Sequence, residues 1–372
     1  MRSAPGRPAA AGCPGLAKWA HYSSEWCGAS RLGATVPEAQ TDAPVPSGPA
    51  PRPGNDGRFR VRYRALGNTG LTVSRLGLGT TTFMGIFARR SPDECVRVLL
   101  HGLDAGINLV DTAPSYGEGL AEEMVGRALR GRRNDVVLTT KVGSYVPEVF
   151  DFSPRRIRSG LEGSLRRLGT DHVDVLFAHD IEFGRPEQIL DQVLPLLTEL
   201  RDEGKTRAVG VSGLLLEPLG TTVDRAGVDV VQTYCRYGLH DQSLVEPAIG
   251  WRANGTGTIL GSPTAMGLLT RAGPPAWHPA HPALKDAARE AAALCTAYGT
   301  DLAALAMGYA LDCPHLDSVL TGAGTPCHLD RNLRALDTAT EPDLLQMVLQ
   351  RFSEVAERIW PSGNGAWGTA GS

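Results

Sequence analysis

Eight short β-rich runs alternate with helical patterns between residues 73 and 324, and that alternation restricts the fold more than any single motif. The predicted strands cover 73–80, 108–113, 135–143, 173–180, 206–213, 229–235, 257–263 and 317–324. Between them, apolar residues return every three or four positions. In 153–169, Ser153 can cap, Pro154 suits the first turn, and Ile157, Leu161, Leu165 and Leu168 form one apolar stripe before Gly169 ends it. The stretch 185–205 behaves similarly, with Pro195 expected to bend the helix. Strands each followed by a helix fit an α/β fold of the (β/α)8 TIM-barrel type. A doubly wound sheet would want an early GxGxxG turn, and "GLGTTTFMG" (77–85) has the wrong spacing.

The pattern does not reach the ends of the chain. Residues 1–58 are rich in Pro, Gly, Ala and Ser without helical or strand periodicity, and read as a disordered, low-complexity extension. Arg2, Arg7 and Lys18 against the single acid Glu25 give its start a faint organelle-targeting composition, without the regular amphipathic pattern such a peptide needs. The core is expected over 59–361, and 362–372 reads as a flexible tail. A net charge of −3 offers no polycationic face for nucleic acid, and the apolar runs are too short to cross a membrane. Cysteines at 13, 27, 95, 235, 295, 313 and 327 form no CxxC pair, which argues against zinc and suits a reducing, cytoplasmic setting. His278 and His281 lie three apart with no partnering cysteine or carboxylate, so no metal is expected there.

In a barrel the carboxyl ends of all strands meet at one mouth. Asp111 closes the second predicted strand, Tyr116 lies in the loop after it, Lys141 ends the third and His179 the fourth. Free tyrosine has a pKa of about 10, so alone it exchanges protons poorly at neutral pH. A lysine ammonium beside it favours the phenolate, a carboxylate keeps that lysine charged, and an imidazole can hydrogen-bond a substrate oxygen. Singly, each has a plain structural role open to it: turn cap, packing under a loop, a snorkelling amine. Together at one mouth they suit an oxidoreductase working at a carbonyl or alcohol carbon.

"YRALGNTGLTVSRLGLGT", "DTAPSYG", "LTTKVG" and "VDVLFAHD" resemble the aldo/keto reductase superfamily across the whole core. That resemblance implies a barrel that binds a nicotinamide dinucleotide without a Rossmann fold or a metal. It also implies a catalytic tetrad of Asp111, Tyr116, Lys141 and His179. "AHDIEFG", "LRDEGKTRAVGVSGL", "SPTAMGLLT", "GPPAWHPAHPALK" and "SVLTGAGT" resemble the branch of L-galactose and other aldose 1-dehydrogenases. Asp180 and Ile181 stand where most members of the superfamily carry a Trp-Pro or similar pair.

By motif position, the resemblance assigns the nicotinamide carboxamide to Ser212 and Gln232, with Gly213 where an asparagine is commoner. Gly261, just before Ser262, stands where many relatives place an aromatic residue against the nicotinamide. Gly322, Ala323, Gly324 and Thr325 would surround the pyrophosphate and ribose, with His328 and Asn332 toward the adenosine. NADPH-preferring relatives often carry Arg or Lys at the position of Gly324, since a 2′-phosphate needs a charge-assisted partner. A glycine there favours NAD, with NADP the alternative if Arg331 or Arg334 points inward. A neutral sugar would need polar groups at the mouth, for which Asp180, Tyr145, Tyr237, Trp277 and His278 are the candidates. The expected reaction is oxidation of an aldose of the L-galactose or L-fucose type at C1 to the lactone. Its competitors are NADPH-dependent reduction of aldehydes or ketones and a non-catalytic regulatory subunit.

Overall fold

The barrel strands are short runs of β-branched and apolar residues buried on both faces, as a parallel strand wrapped by helices must be. In the computed structural model they are β1 (Leu76–Gly79), β2 (Leu109–Asp111), β3 (Val137–Val142), β4 (Val173–Ala178), β5 (Thr206–Gly213), β6 (Val230–Tyr234), β7 (Gly257–Gly261) and β8 (Ser318–Thr321). They close into an eight-stranded barrel, every neighbour parallel. The ring is sealed by β8 against β1, with Val319 opposite Leu76 and Leu320 opposite Gly77. A Cβ on Gly77 would lie 2.7 Å from the Leu320 side chain, so this seam requires glycine. The structure describes residues 59–85, 87–146, 148–334, 341–355 and 359–368. The extension expected to be disordered, 1–58, lies outside them.

Inside the ring, Leu109, Val137, Val175, Phe177, Val230, Ile259 and Leu320 pack on Leu66, Leu71 and Val73. Those last three belong to a hairpin of Tyr63–Ala65 and Thr72–Ser74 that plugs the barrel floor. The single strand expected over 73–80 is therefore two. Ser74 Oγ donates to the Leu76 carbonyl, and the buried Arg75 guanidinium donates to the carbonyls of Leu311, Cys313 and Leu316. That guanidinium locks the step from hairpin to barrel.

Outside lie α1 (Pro92–Asp104), α2 (Leu120–Ala128), α3 (Pro154–Leu168), α4 (Leu194–Asp202), α5 (Leu216–Ala226), α6 (Val245–Ala253), α7 (Pro282–Ala297), α8 (Leu302–Asp312), α9 (Pro326–Arg334) and α10 (Pro342–Phe352). α3 follows its sequence: Pro154 opens it, Ile157, Leu161, Leu165 and Leu168 are buried, and Gly169 ends it at φ 66°. Ser153 is its N-cap residue, but its hydroxyl accepts no capping bond. The disturbance expected from Pro195 falls just before it, where Ile189–Val193 form a π-turn and the Leu194 N–H reaches back to Ile189. Among the described residues no helix is long and apolar enough to cross a membrane.

Within the segment expected to hang free after residue 361, the described residues 362–368 are anchored. Ser362 Oγ donates to Glu182 (3.1 Å) and Asn364 Nδ2 to the Phe183 carbonyl (2.7 Å). The Trp367 indole N–H donates to the carbonyls of Ile181 (3.1 Å) and Gly184 (3.0 Å). Its partners all belong to the loop that follows β4.

Candidate active site

Adjacent strands bring the four residues of the expected tetrad together. Asp111 is the last residue of β2, Lys141 lies in β3, and His179 directly follows β4. Lys141 Nζ is 2.7 and 2.8 Å from the two carboxylate oxygens of Asp111 and 3.0 Å from the Thr112 carbonyl oxygen. Thr139 Oγ1 donates to the same carboxylate at 2.7 Å. Nζ also stands 5.0 Å from the centre of the Tyr116 ring. The rings of Tyr116 and His179 meet edge-on, 5.9 Å between centres.

Burial opposes the charge of Lys141, but Asp111 and Tyr116 outweigh it and its pKa rises. The ammonium is therefore permanent. For Tyr116 the balance differs from the expectation. Burial raises its pKa, Lys141 pulls it down as expected, Asp111 pushes it up, and the net shift is upward. At rest Tyr116 is a neutral phenol. Burial and Lys141 bring His179 well below the usual imidazole range, so it is neutral, with Nδ1 buried and unpartnered.

Asp180 takes up a left-handed backbone (φ 49°) immediately after His179, and its Oδ2 lies 3.7 Å from His179 Nε2. Its Oδ1 is buried without a partner. Burial and the neighbouring Glu182 raise the Asp180 pKa well above the carboxylate range, against a smaller pull from Lys141. Glu182 went unread in the sequence, where nothing separates it from a surface acid. It is 1 % exposed, and its Oε1 accepts from the Leu214 N–H at 2.8 Å. A Cβ on Gly213 would stand 2.2 Å from Glu182 Oε2. The Glu182 carboxylate thus occupies the space that a side chain at position 213 would need. Tyr234, at the end of β6, was also missed. Burial raises its pKa, with Asp180 and Glu182 adding to the rise, so it faces the same group of charges.

The other sugar candidates have partners of their own. Tyr145 donates to the Arg156 carbonyl (3.1 Å) with the Arg156 guanidinium 3.7 Å over its ring, and burial pushes its pKa up to about 12. Tyr237 stacks on Tyr309 of α8, 5.3 Å between ring centres. His278 Nε2 lies 2.8 Å from the Ala265 carbonyl, and its Nδ1 accepts from the Ala280 N–H, which pins the loop after β7. Trp277 is half-buried and meets Phe87, from the loop after β1, at 6.0 Å.

On the cofactor side, Ser212 Oγ donates to the Ala178 carbonyl at 3.4 Å, and Gln232 Oε1 is buried without a partner. Ser262, at φ 52°, hydrogen-bonds the Cys235 thiol. Gly261 is backed by Tyr234, whose Cβ would lie 3.2 Å from an added one. Thr82 and Thr325 carry buried, unpartnered hydroxyls at the loops after β1 and β8. Asn332 Nδ2 donates to Thr321 Oγ1 at 2.6 Å, and Arg331 and Arg334 are exposed. His328 falls to about 4 through burial and the charges of Arg90 and Arg331. A cradle of glycines with orphaned amide and hydroxyl oxygens fits a dinucleotide, whose amide and phosphate groups would satisfy them. Arg90, which the sequence did not single out, lies against Gly324, where a Cβ would stand 2.2 Å from the guanidinium.

Known proteins are similar to this chain. L-galactose dehydrogenase of Arabidopsis thaliana is 40% identical over 314 residues, covering 83% of this chain and 97% of that protein. D-threo-aldose 1-dehydrogenase of Pseudomonas sp is 30% identical over 298 residues, covering 72% and 91%. An aldo-keto reductase from Bacillus halodurans, solved in its holo form, matches with a TM-score of 0.68 at 27% identity, covering 82% of this chain and 99% of that one. Residues 75–348 match the model of the Aldo/keto reductase family. The chain belongs to that family and is an NAD(P)-dependent oxidoreductase acting on CH–OH groups.

Proposed function

We propose that the protein oxidises an aldose of the L-galactose or L-fucose type at C1, with NAD as acceptor, to give the lactone. The observation that carries this reading is the unpartnered Asp180 carboxylate oxygen beside His179. A buried oxygen with no donor disfavours an apolar substrate and suits a ring hydroxyl. The similarity to two sugar dehydrogenases supports it.

In this mechanism the sugar's C1 hydroxyl lies between Tyr116 and His179. An oxidised nicotinamide, when bound, would supply the hydride acceptor, and Tyr116 acts in its minor phenolate form, which grows with pH. Tyr116 takes the hydroxyl proton as the C1–H bond breaks and the C1=O bond forms. Lys141, held charged by Asp111, stabilises the phenolate. Neutral His179 orients the C1 oxygen without competing for its proton. Ser212 and Gln232 would hold the carboxamide, and Gly322, Ala323, Gly324, Thr325 and Asn332 the adenosine half. NAD is the proposed dinucleotide because Gly324 carries no side chain and His328 is uncharged at neutral pH.

A second reading, reduction of aldehydes or ketones with NADPH, is favoured by the raised pKa of Tyr116, which keeps the phenol protonated at rest. A panel of sugars and simple aldehydes, each with both cofactors, separates the two. NAD-linked oxidation of L-galactose or L-fucose is expected. Its absence, with NADPH-linked aldehyde reduction present, sinks the first reading.

A further inference from the structure

The loops that leave β1 and β8 come from opposite ends of the core sequence, yet barrel closure makes them neighbours. Two contacts define how closely they meet. A Cβ on Gly322 would lie 2.3 Å from the Thr82 methyl, and a Cβ on Gly324 would lie 2.2 Å from the Arg90 guanidinium. Arg90 is half-buried across Gly324, and a side chain at 324 would have to displace its guanidinium.

α9 starts just beyond, with nine residues. The His328 and Leu329 N–H groups bond back to the Thr325 carbonyl and close its first turn. The Thr325 hydroxyl, on a residue 1 % exposed, has no partner, and neither has the buried hydroxyl of Thr82. A guanidinium, two hydroxyls in want of a partner and the start of a helix all lie along the short segment 322–326. Each of these favours an oxyanion, and together they suit a phosphate. His328 is too weak a base to provide the charge at neutral pH, and Arg331 is exposed. Glu94, close enough to feel the Arg90 charge, already spends Oε2 on the Ser91 N–H and hydroxyl.

We propose that Arg90, with Thr82 and Thr325, binds a phosphate of the nicotinamide dinucleotide, the cation arriving from the loop after the first strand rather than from the loop after the last. The proposal rests on the dinucleotide reading but not on the choice of sugar. The phosphate belongs either to the pyrophosphate that both dinucleotides share or to the 2′-phosphate of NADP. In the first case Arg90 raises affinity for both cofactors alike. In the second it gives the protein an NADP tolerance that Gly324 by itself denies.

Calorimetric titration of the full chain with adenosine, ADP and adenosine 2′,5′-bisphosphate, without sugar, tests this. Arg90→Met is expected to weaken a phosphorylated ligand by about tenfold or more and to leave adenosine unchanged, with Arg90→Lys recovering part of the loss. A loss with ADP assigns the pyrophosphate, and a loss confined to the bisphosphate assigns the 2′-phosphate. Equal affinity of wild type and Arg90→Met for both phosphorylated ligands overturns the proposal. If Arg90→Met fails to fold, Thr325→Val carries the same test. There a several-fold loss limited to phosphorylated ligands supports it, and an unchanged affinity overturns it. Since no sugar is present, failure of sugar oxidation and failure of phosphate binding are read separately.

Discussion

Lys141 holds both carboxylate oxygens of Asp111 within 2.8 Å while only 1 % of the lysine side chain and 4 % of the aspartate side chain are exposed. A pair this buried costs more to break than to keep. Asp111→Asn leaves an ammonium in the core without its counter-charge, and the expected loss is about 3–5 kcal/mol of stability. Chemical denaturation of the two proteins side by side measures it. A loss within experimental error would mean that Thr139 and Thr112 suffice to hold the lysine.

Tyr116→Phe removes the proton acceptor and keeps the ring. Turnover should fall by roughly 10²–10⁴ while dinucleotide affinity stays the same. The pH profile gives a sharper check. Because burial raises the Tyr116 pKa, the phenolate fraction keeps growing through the neutral and alkaline range. Sugar oxidation should keep climbing with pH through the neutral and alkaline range without levelling off in the wild type, whereas the residual rate of the variant should be flat. His179, shifted far below neutrality, should contribute no inflection between pH 6 and 8.

Asp180 gives a stability signature of the opposite sense from a salt-bridged acid. Its folded pKa is raised by burial and Glu182, so between its unfolded and folded values the native state holds more protons than the unfolded chain. Stability must therefore fall as pH rises through that window. Asp180→Asn cannot ionise, and its stability should decline less from pH 4 to pH 8 than that of the wild type. Thermal melts across this range test the sign, and the same variant should raise the KM for sugar more than it lowers kcat.

Gly213→Ala sets a methyl 2.2 Å from the Glu182 carboxylate. Either β5 shifts or Glu182 gives up its bond to the Leu214 N–H. The expected cost is about 1–3 kcal/mol, read as a lower Tm. Pairing it with Glu182→Ala, which empties the space, should return part of that loss in a double-mutant cycle.

Trp367→Ala deletes two hydrogen bonds to the loop that carries Asp180. Sugar KM should rise by several-fold with dinucleotide affinity intact, because the cofactor contacts lie on other strands. Steady-state kinetics with each substrate varied in turn decides it. An unchanged sugar KM would restrict the segment to a packing role.

Periodicity was enough to foretell the barrel because β-branched strands and amphipathic helices write their spacing directly into the chain. The tetrad was legible for a related reason: strand ends place Asp111, Lys141 and His179 at one mouth whatever the details of packing. Arg75, Glu182 and Arg90 were not legible. Each is a charged residue in a stretch that would serve equally well on a surface, and only long-range closure buries or aims it. For His278 and Tyr237 the sequence could not show their neighbours, the backbone of the β7 loop and the Tyr309 ring. The sign of the Tyr116 shift escaped as well, because it depends on how much water the mouth excludes.

The seam between β8 and β1 joins the last barrel strand to the first. A nascent chain lacks the surface that Arg90 and Gly324 make together until its final strand has docked. Affinity for an adenine nucleotide is accordingly a ruler of completed folding. Forms truncated before the last barrel strand should fail to be captured on an adenosine-phosphate matrix.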